Sequence, residues 1–212
     1  MATDNKAYLD GRKKYKRPQA IMFADQAPTS VTSSGKTFYI PQGYEVGESA
    51  NNLDDFLILS DHNRQSLDFT MTRIENRQRT INGRMRSFFV ADKTSLSVSW
   101  DLLPSRGFNQ DPNFNSSGVA QGGNGTLEQF TVDGGAGGLD LLEWYETHTG
   151  SFWVFLAYDK HNNFAVDNYE YAHLAQYNEV IEMFVADFSY SVQKRGGNTY
   201  DLWNVSIRLE EV

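Results

Sequence analysis

"LDFTMTRIENRQRTINGRMRSFFVADKTSLSVSW", residues 67–100, reads as one long β-hairpin. Leu67, Phe69 and Met71 alternate with Asp68, Thr70 and Thr72, the period of two that puts apolar side chains on one face of a strand. Asn82-Gly83 follows, the dipeptide preferred by two-residue type I′ turns. The return arm ends in "TSLSVSW" (94–100), with Leu96, Val98 and Trp100 on one side and Ser95, Ser97 and Ser99 on the other. A break in this arm is expected near "ADK" (91–93). Both arms exceed the usual ~5–6 residues of a strand, so the hairpin should project beyond the body that carries it. The serine face poses a question: it looks at bulk water, at a neighbouring subunit or into an enclosed channel.

A second hairpin follows the same logic. "VIEMFVADFSYSV" (180–192) places Phe184, Ala186, Phe188, Tyr190 and Val192 on one face. "TYDLWNVSIRLEEV" (199–212) sets Trp203, Val205, Ile207 and Leu209 against Asn204, Ser206 and Arg208. Gly196-Gly197 between them supplies the positive φ that a hairpin loop needs. "SFWVFLAY" (151–158) is apolar on both faces and reads as a doubly buried strand. The one convincing helix is "LDLLEWYETH" (139–148), with a stripe of Leu139, Leu142 and Tyr145 flanked by Leu141 and Trp144, and Gly150 as a stop. "YEYAHLAQYNEVIEMF" (169–184) begins equally well as helix or loop before it joins the strand. Residues 105–138 hold nine of the 17 glycines. Such a connection is too polar and glycine-rich to pack a core, and loops beyond ~15 residues are usually functional or disordered. Within it only "LEQFTV" (127–132) reads as a short strand.

A chain of 212 residues suits one domain with a sizeable core. Its 14% aromatic and 22% charged content excludes wholesale disorder. With no cysteine there is no disulfide, thiolate metal site or cysteine nucleophile. No apolar run approaches the ~20 residues of a membrane-spanning helix, and "MATDNKAYLDGRKKYKRPQA" lacks the apolar core of a secretory signal. The Asn-x-Ser/Thr triplets at Asn115, Asn124 and Asn204 therefore read as chance. The net charge of −8 is unevenly spread: residues 1–20 carry six basic and two acidic residues, the rest 13 basic and 25 acidic. A body at −12 repels a nucleic-acid backbone. The basic arm reads as a solvated terminus unless an interface orders it.

Chemistry is sparse. "VDGGAGGLDLLEWYE" (132–146) sets glycines between a strand and a helix, yet lacks the Lys-Ser/Thr of a P-loop. Asp140 and Glu143 would cancel the positive helix end that an anion requires, so the glycines read as a flexible joint. His62, His148, His161 and His173 form no HExxH, and Glu170 with His173 gives a single E-x-x-H, half of what a di-metal bundle needs. Glu143 and Glu146 suit a solvated helix face, and no G-x-S-x-G occurs. The expectation is a non-enzymatic protein with no cofactor and no metal. Arg73, Arg77, Arg79, Arg84 and Arg86 crowd the tip half of the first hairpin, with Glu75 the only acid among them. Arg77 and Arg79 share a strand face, as do Arg84 and Arg86. Like charges across a hairpin destabilise it unless something negative faces them. The two readings are a salt-screened surface and a socket contact on another acidic copy.

The order of long Asn-Gly hairpin, glycine-rich loop, "GLDLLEWYETHTG", "SFWVFLAYDK" and closing "TYDLWNVSIRLEEV" resembles the tail tube (major tail) protein of a long-tailed bacteriophage, over about residues 65–212. The resemblance implies a mainly β fold: a two-sheet β-sandwich or barrel with long hairpins and one flanking α-helix. It implies an N-terminal arm and irregular segment (1–60) ordered by assembly, then a tube domain (61–212) with the glycine-rich loop 105–138. Six copies would form a ring and rings would stack into a tube in the virion tail, made in the host cytoplasm. DNA would pass through without specific binding, after a tape-measure protein; a sheath protein is a further partner the resemblance allows, and a membrane is not. Arg73, Arg77, Arg79, Arg84 and Arg86 are then candidates for inter-subunit contacts. Ser95, Ser97 and Ser99 are candidates for the lumen face, with "LWNVSIRL" (202–209) a partial match because Arg208 interrupts it. Alternatives are another tail or connector subunit such as a tail terminator, a capsid decoration protein, or an enzyme. A carbohydrate-binding β-sandwich is a further one. That last reading needs aromatics exposed on one platform, whereas Trp100, Trp153, Trp203 and Phe188 sit on faces assigned to the core.

Overall fold

The alternating segments become strands, and their order is set by the two hairpins. The computed structural model describes residues 19–33, 36–41, 56–107, 130–158, 177, 179–195 and 200–212. Its strands are β1 (Ile21–Ala24), β2 (Pro28–Ser33), β3 (Lys36–Pro41), β4 (Phe56–Ile58), β5 (Arg64–Arg79) and β6 (Met85–Pro104), then β7 (Phe152–Leu156), β8 (Glu179–Arg195) and β9 (Asp201–Glu211). A single helix among the described residues, α1, spans Gly138–Thr147. The protein is mainly β. One seven-stranded sheet runs in the order β4-β1-β7-β8-β9-β6-β5, and β2 with β3 forms a separate two-stranded ribbon. All the pairings are antiparallel.

The large sheet curls without closing. In a flat sheet β4 and β6 would lie about 24 Å apart, five strand spacings of about 4.8 Å. Yet the Trp100 indole N–H on β6 donates to the Ser60 carbonyl, just past β4, at 2.7 Å. Residues 59–63 carry the chain directly from one sheet edge, β4, to the other, β5, but the two edges share no ladder. Of the expected pair of packed sheets, the described residues give this one rolled sheet with α1 against its inner face.

Three local expectations change. The hairpin turn is a three-residue loop: Gly83 N–H donates to the Thr80 carbonyl at 2.8 Å and Thr80 N–H to the Arg84 carbonyl at 2.8 Å. Only Gly83 takes positive φ (77°) there, so the glycine supplies the left-handed residue after an ordinary turn in place of a type I′ pair. The break near "ADK" is a β-bulge: Ile74 pairs with Ala91 and Glu75 with Phe89, leaving Val90 extra while β6 continues. In β8 a second bulge falls between Val185 and Asp187. It turns Phe184 away from the face shared by Phe188, Tyr190 and Val192, where the sequence alternation had put it.

The core lies inside the curl. Leu96, Val98 and Trp100 of β6, Val205, Ile207 and Leu209 of β9, Ile21 and Phe23 of β1, and Leu141 and Trp144 of α1 are buried in one cluster. The helix therefore buries the Leu141–Trp144 side of its stripe, with Leu139 and Leu142 partly buried and Tyr145 exposed. β1 is buried on both faces and β4 joins the same sheet, so these parts of 1–60 belong to the body and not to an irregular arm. As expected, β7 is almost wholly buried. Of "LEQFTV", 130–132 form a bend and turn instead of a strand, and 127–129 lie outside the described residues, as do 169–176, His161 and His173. No described helix is long and apolar enough to cross a membrane.

Candidate functional site

Cross-strand register carries the serine face across the sheet. Ser99 pairs with Ser206, and Ser206 with Ser189, so three hydroxyls from β6, β9 and β8 form one row. The next row reads Asp68, Ser97, Arg208, Asp187, and the one beyond it Thr70, Ser95, Glu210, Phe184. Asn204 opposite Ser191 continues the polar surface. On the reverse side the rows are Phe69, Leu96, Leu209, Val185 and Leu67, Val98, Ile207, Phe188. Ser95, Ser97 and Ser99 thus stand on the face opposite α1, which packs through Gly138 against Trp203 on the core side. Each is half-buried among its neighbours. A shallow hollow of about 350 Å³ opens on this face, lined by Ser99, Asp101, Ser189, Ser191, Asn204 and Ser206 among others. Arg208 does interrupt the face, but its guanidinium lies 3.3 Å from the Glu210 carboxylate and its strand partner is Asp187.

The arginines sit on a projecting ribbon. β9 pairs with β6 only from Ser95 onward, so residues 71–79 and 85–94 have only each other as strand partners. The ribbon leaves large apolar side chains in water: Met71 is 69% exposed, Phe89 61% and Phe88 53%, and Ile81 at the turn is fully exposed. A lone two-stranded hairpin is marginal in water, and contiguous exposed apolar surface marks an interaction site. Arg73 donates to Asp92 at 3.0 Å across the ribbon and lies over the Phe89 ring; the bond to Asp92 raises its pKa. Arg77 pairs with Glu75, which also accepts from Ser87, and these bonds, Ser87 first, hold the Glu75 pKa low. Arg79, Arg84 and Arg86 have no ion pair among the described residues. The register sets Arg77 opposite Ser87, Arg79 opposite Met85 and Arg86 opposite Gln78. The ribbon therefore avoids direct cross-strand arginine pairs, and its charge stays available to a partner.

Sequence reading missed a third feature, a polar knot at the seam where residues 59–63 cross between sheet edges. Asp133, 7% exposed, accepts from the Ser60 hydroxyl at 2.6 Å, Asp61 N–H at 2.7 Å and Gly135 N–H at 3.0 Å. His62 Nδ1 accepts from Val132 N–H at 3.1 Å, and burial lowers the His62 pKa while Asp133 opposes the shift. The glycines are close-packed here, which overturns their reading as a flexible joint. A Cβ on Gly135 would lie 2.5 Å from Ser60 Cα, and one on Gly137 2.5 Å from Arg106 Cα. The Asp140 carboxylate accepts the Gly137 N–H at 2.8 Å and occupies the start of α1, as its position suggested. Serine, histidine and aspartate meet in this knot, but the serine donates to the aspartate and is 1% exposed, so it is no nucleophile. No group of His, Asp and Glu among the described residues is arranged to hold a metal. Trp100, Trp144 and Trp203 are buried and Trp153 is half-buried, which leaves no tryptophan platform for a sugar. Compared with protein-family models and with curated proteins, the chain matches none.

Proposed function

We propose that the protein is a structural, non-enzymatic virion subunit that assembles with copies of itself into stacked, hexameric rings forming the tail tube of a long-tailed phage. The observation that carries this reading is the ribbon of β5 and β6, which extends past the sheet with bulky apolar and arginine side chains uncovered. Such a surface is stable and soluble only when something covers it, and the acidic body of a second copy supplies the complementary charge. The hydroxyl-lined face supports the conduit role. It is mostly uncharged and backed by the core, and its acids Asp68, Asp187 and Glu210 outnumber the paired Arg208. A polyanion slides past such a wall, whereas free lysine or arginine there would hold it. Sedimentation over a concentration series followed by electron microscopy tests the reading: rings or tubes are expected, and a monomer at every concentration and salt would remove it.

A further inference from the structure

The second copy has a specific place to receive the ribbon tip. A groove of about 590 Å³ lies between the C-terminal end of α1 and β8, lined by Tyr145, Glu146, Thr149, Ser151 and Phe184 among others. Its α1 wall offers the half-exposed Tyr145 ring, stacked on Phe188 of β8 at 4.7 Å, with Val185 beside it. Its charge is negative: Glu146 is exposed on the last turn, and Ser151 holds the Glu182 carboxylate at the rim. The last turn of α1 has no Lys or Arg, and the C-cap His148, which also lines the groove, sets its ring nitrogens 2.9 Å from the Trp144 carbonyl and 2.8 Å from the Asp25 carboxylate. The ribbon tip has the opposite character. From Asn76 to Ala91 there is no acidic residue, while Arg79 and Arg84 flank the fully exposed Ile81. Residues 85–94 carry the turn roughly 30 Å from the last ladder position shared with β9, at about 3.3 Å per residue. This exceeds the reach needed to leave its own subunit's surface.

We infer that the tip of the β5–β6 ribbon docks in the α1–β8 groove of a neighbouring copy, with Ile81 against Tyr145 and Val185 and with Arg79 and Arg84 facing Glu146 and Glu182. The contact is heterologous, tip of one copy to groove of the next, so it propagates from copy to copy until a ring closes. It rests on the self-assembly reading and names the surface that reading leaves open. The chain has no cysteine, so Asn82→Cys and Thr149→Cys can be introduced together at exposed positions, with the Ile81 anchor kept, and treated with a short bismaleimide. A ladder of covalent dimers, trimers and higher species is expected from the double variant. Dimers alone are expected from a mixture of the two single variants, and neither single variant alone should cross-link. Arg84→Glu should abolish the ladder in the double-cysteine protein while its unfolding temperature is unchanged, and adding Glu146→Arg should restore it. Rings or tubes that form without any ladder overturn the docking site and leave the assembly reading standing. No self-association at any concentration overturns both, and a tip that instead binds anionic vesicles or DNA, with no ladder, overturns the docking.

Discussion

His62 accepts the Val132 N–H through Nδ1, which only an unprotonated imidazole nitrogen can do. Burial favours that neutral form and depresses the pKa below 6.5, against the pull of Asp133. The unfolded chain therefore binds the proton at higher pH than the folded one. This contribution to stability is complete above 6.5 and is lost as pH falls from 6.5 through the lower folded value. The charges around the ring are Asp133 on the facing segment and, on its own segment, Asp61 and Arg64, which bond to each other at 2.8 Å. His62→Asn keeps a hydrogen-bond acceptor but removes the titration. Between about pH 7.5 and pH 5.5 its unfolding temperature should fall less than that of the parent protein; equal falls would place the acid sensitivity elsewhere. Two glycines beside this logic fail for different reasons when changed to alanine. Gly135→Ala pushes a methyl into the Ser60 backbone and should cost about 1–3 kcal/mol, as overpacking does. Gly83→Ala meets nothing within 4 Å but sits at φ 77°, and should cost only about 1–2 kcal/mol of left-handed strain. Chemical denaturation of the two variants measures both, and an unaffected Gly135→Ala would show that the knot yields.

At the scale of elements, the long hairpin is two structures in series. Its base, Leu67–Thr70 with Ser95–Trp100, is stitched to β9 and buries Leu96, Val98 and Trp100. Its outer half has no strand partner but itself. Replacing residues 73–92 with Asn-Gly should therefore leave the subunit folded, shift its unfolding temperature by only a few degrees, and abolish self-association measured by sedimentation. Self-association that survives the replacement would show that the ribbon is dispensable. Which elements form was written locally. Period-two alternation located β5, β6, β8 and β9, and the doubly apolar run located β7. The serine face was legible too, because alternation assigns faces without knowledge of neighbours. The extension of that face into the Ser99–Ser206–Ser189 row depends on register, which shifts between Trp100 and Leu103 in β6 and between Val192 and Lys194 in β8. The seam knot was illegible for a stronger reason. Its partners Ser60 and Asp133 stand 73 positions apart, and nothing local in "VDGGAGG" distinguishes a close-packed glycine from a flexible one.

For the whole molecule, the proposed conduit role turns on which side of the sheet would face a passing polyanion. The core side is filled by α1 and the aromatic cluster, which leaves the face bearing Ser95, Ser97 and Ser99 as the wall of any conduit built from these sheets. Its rows hold Asp68, Asp187 and Glu210 around the paired Arg208, so the unmodified wall should neutralise few phosphates and bind DNA negligibly near physiological salt. Changing the three serines to lysine tests this directly. Leu96, Val98 and Trp100 point the other way and remain buried, so the strand and its ladder with β9 should persist, with the unfolding temperature as the check. Each new ammonium can release about one condensed counterion on contact with a phosphate, and three of them should give a single-strand binding slope of roughly −2 in log K against log salt. In assembled tubes the same variant should retain nucleic acid that the parent releases, because every subunit around the bore repeats the change. If lysine-bearing tubes form yet hold no more DNA inside than the parent tubes, this face is not the lumen wall. Should labelled DNA bind only to their outside, the serines lie on the outer surface of the assembly.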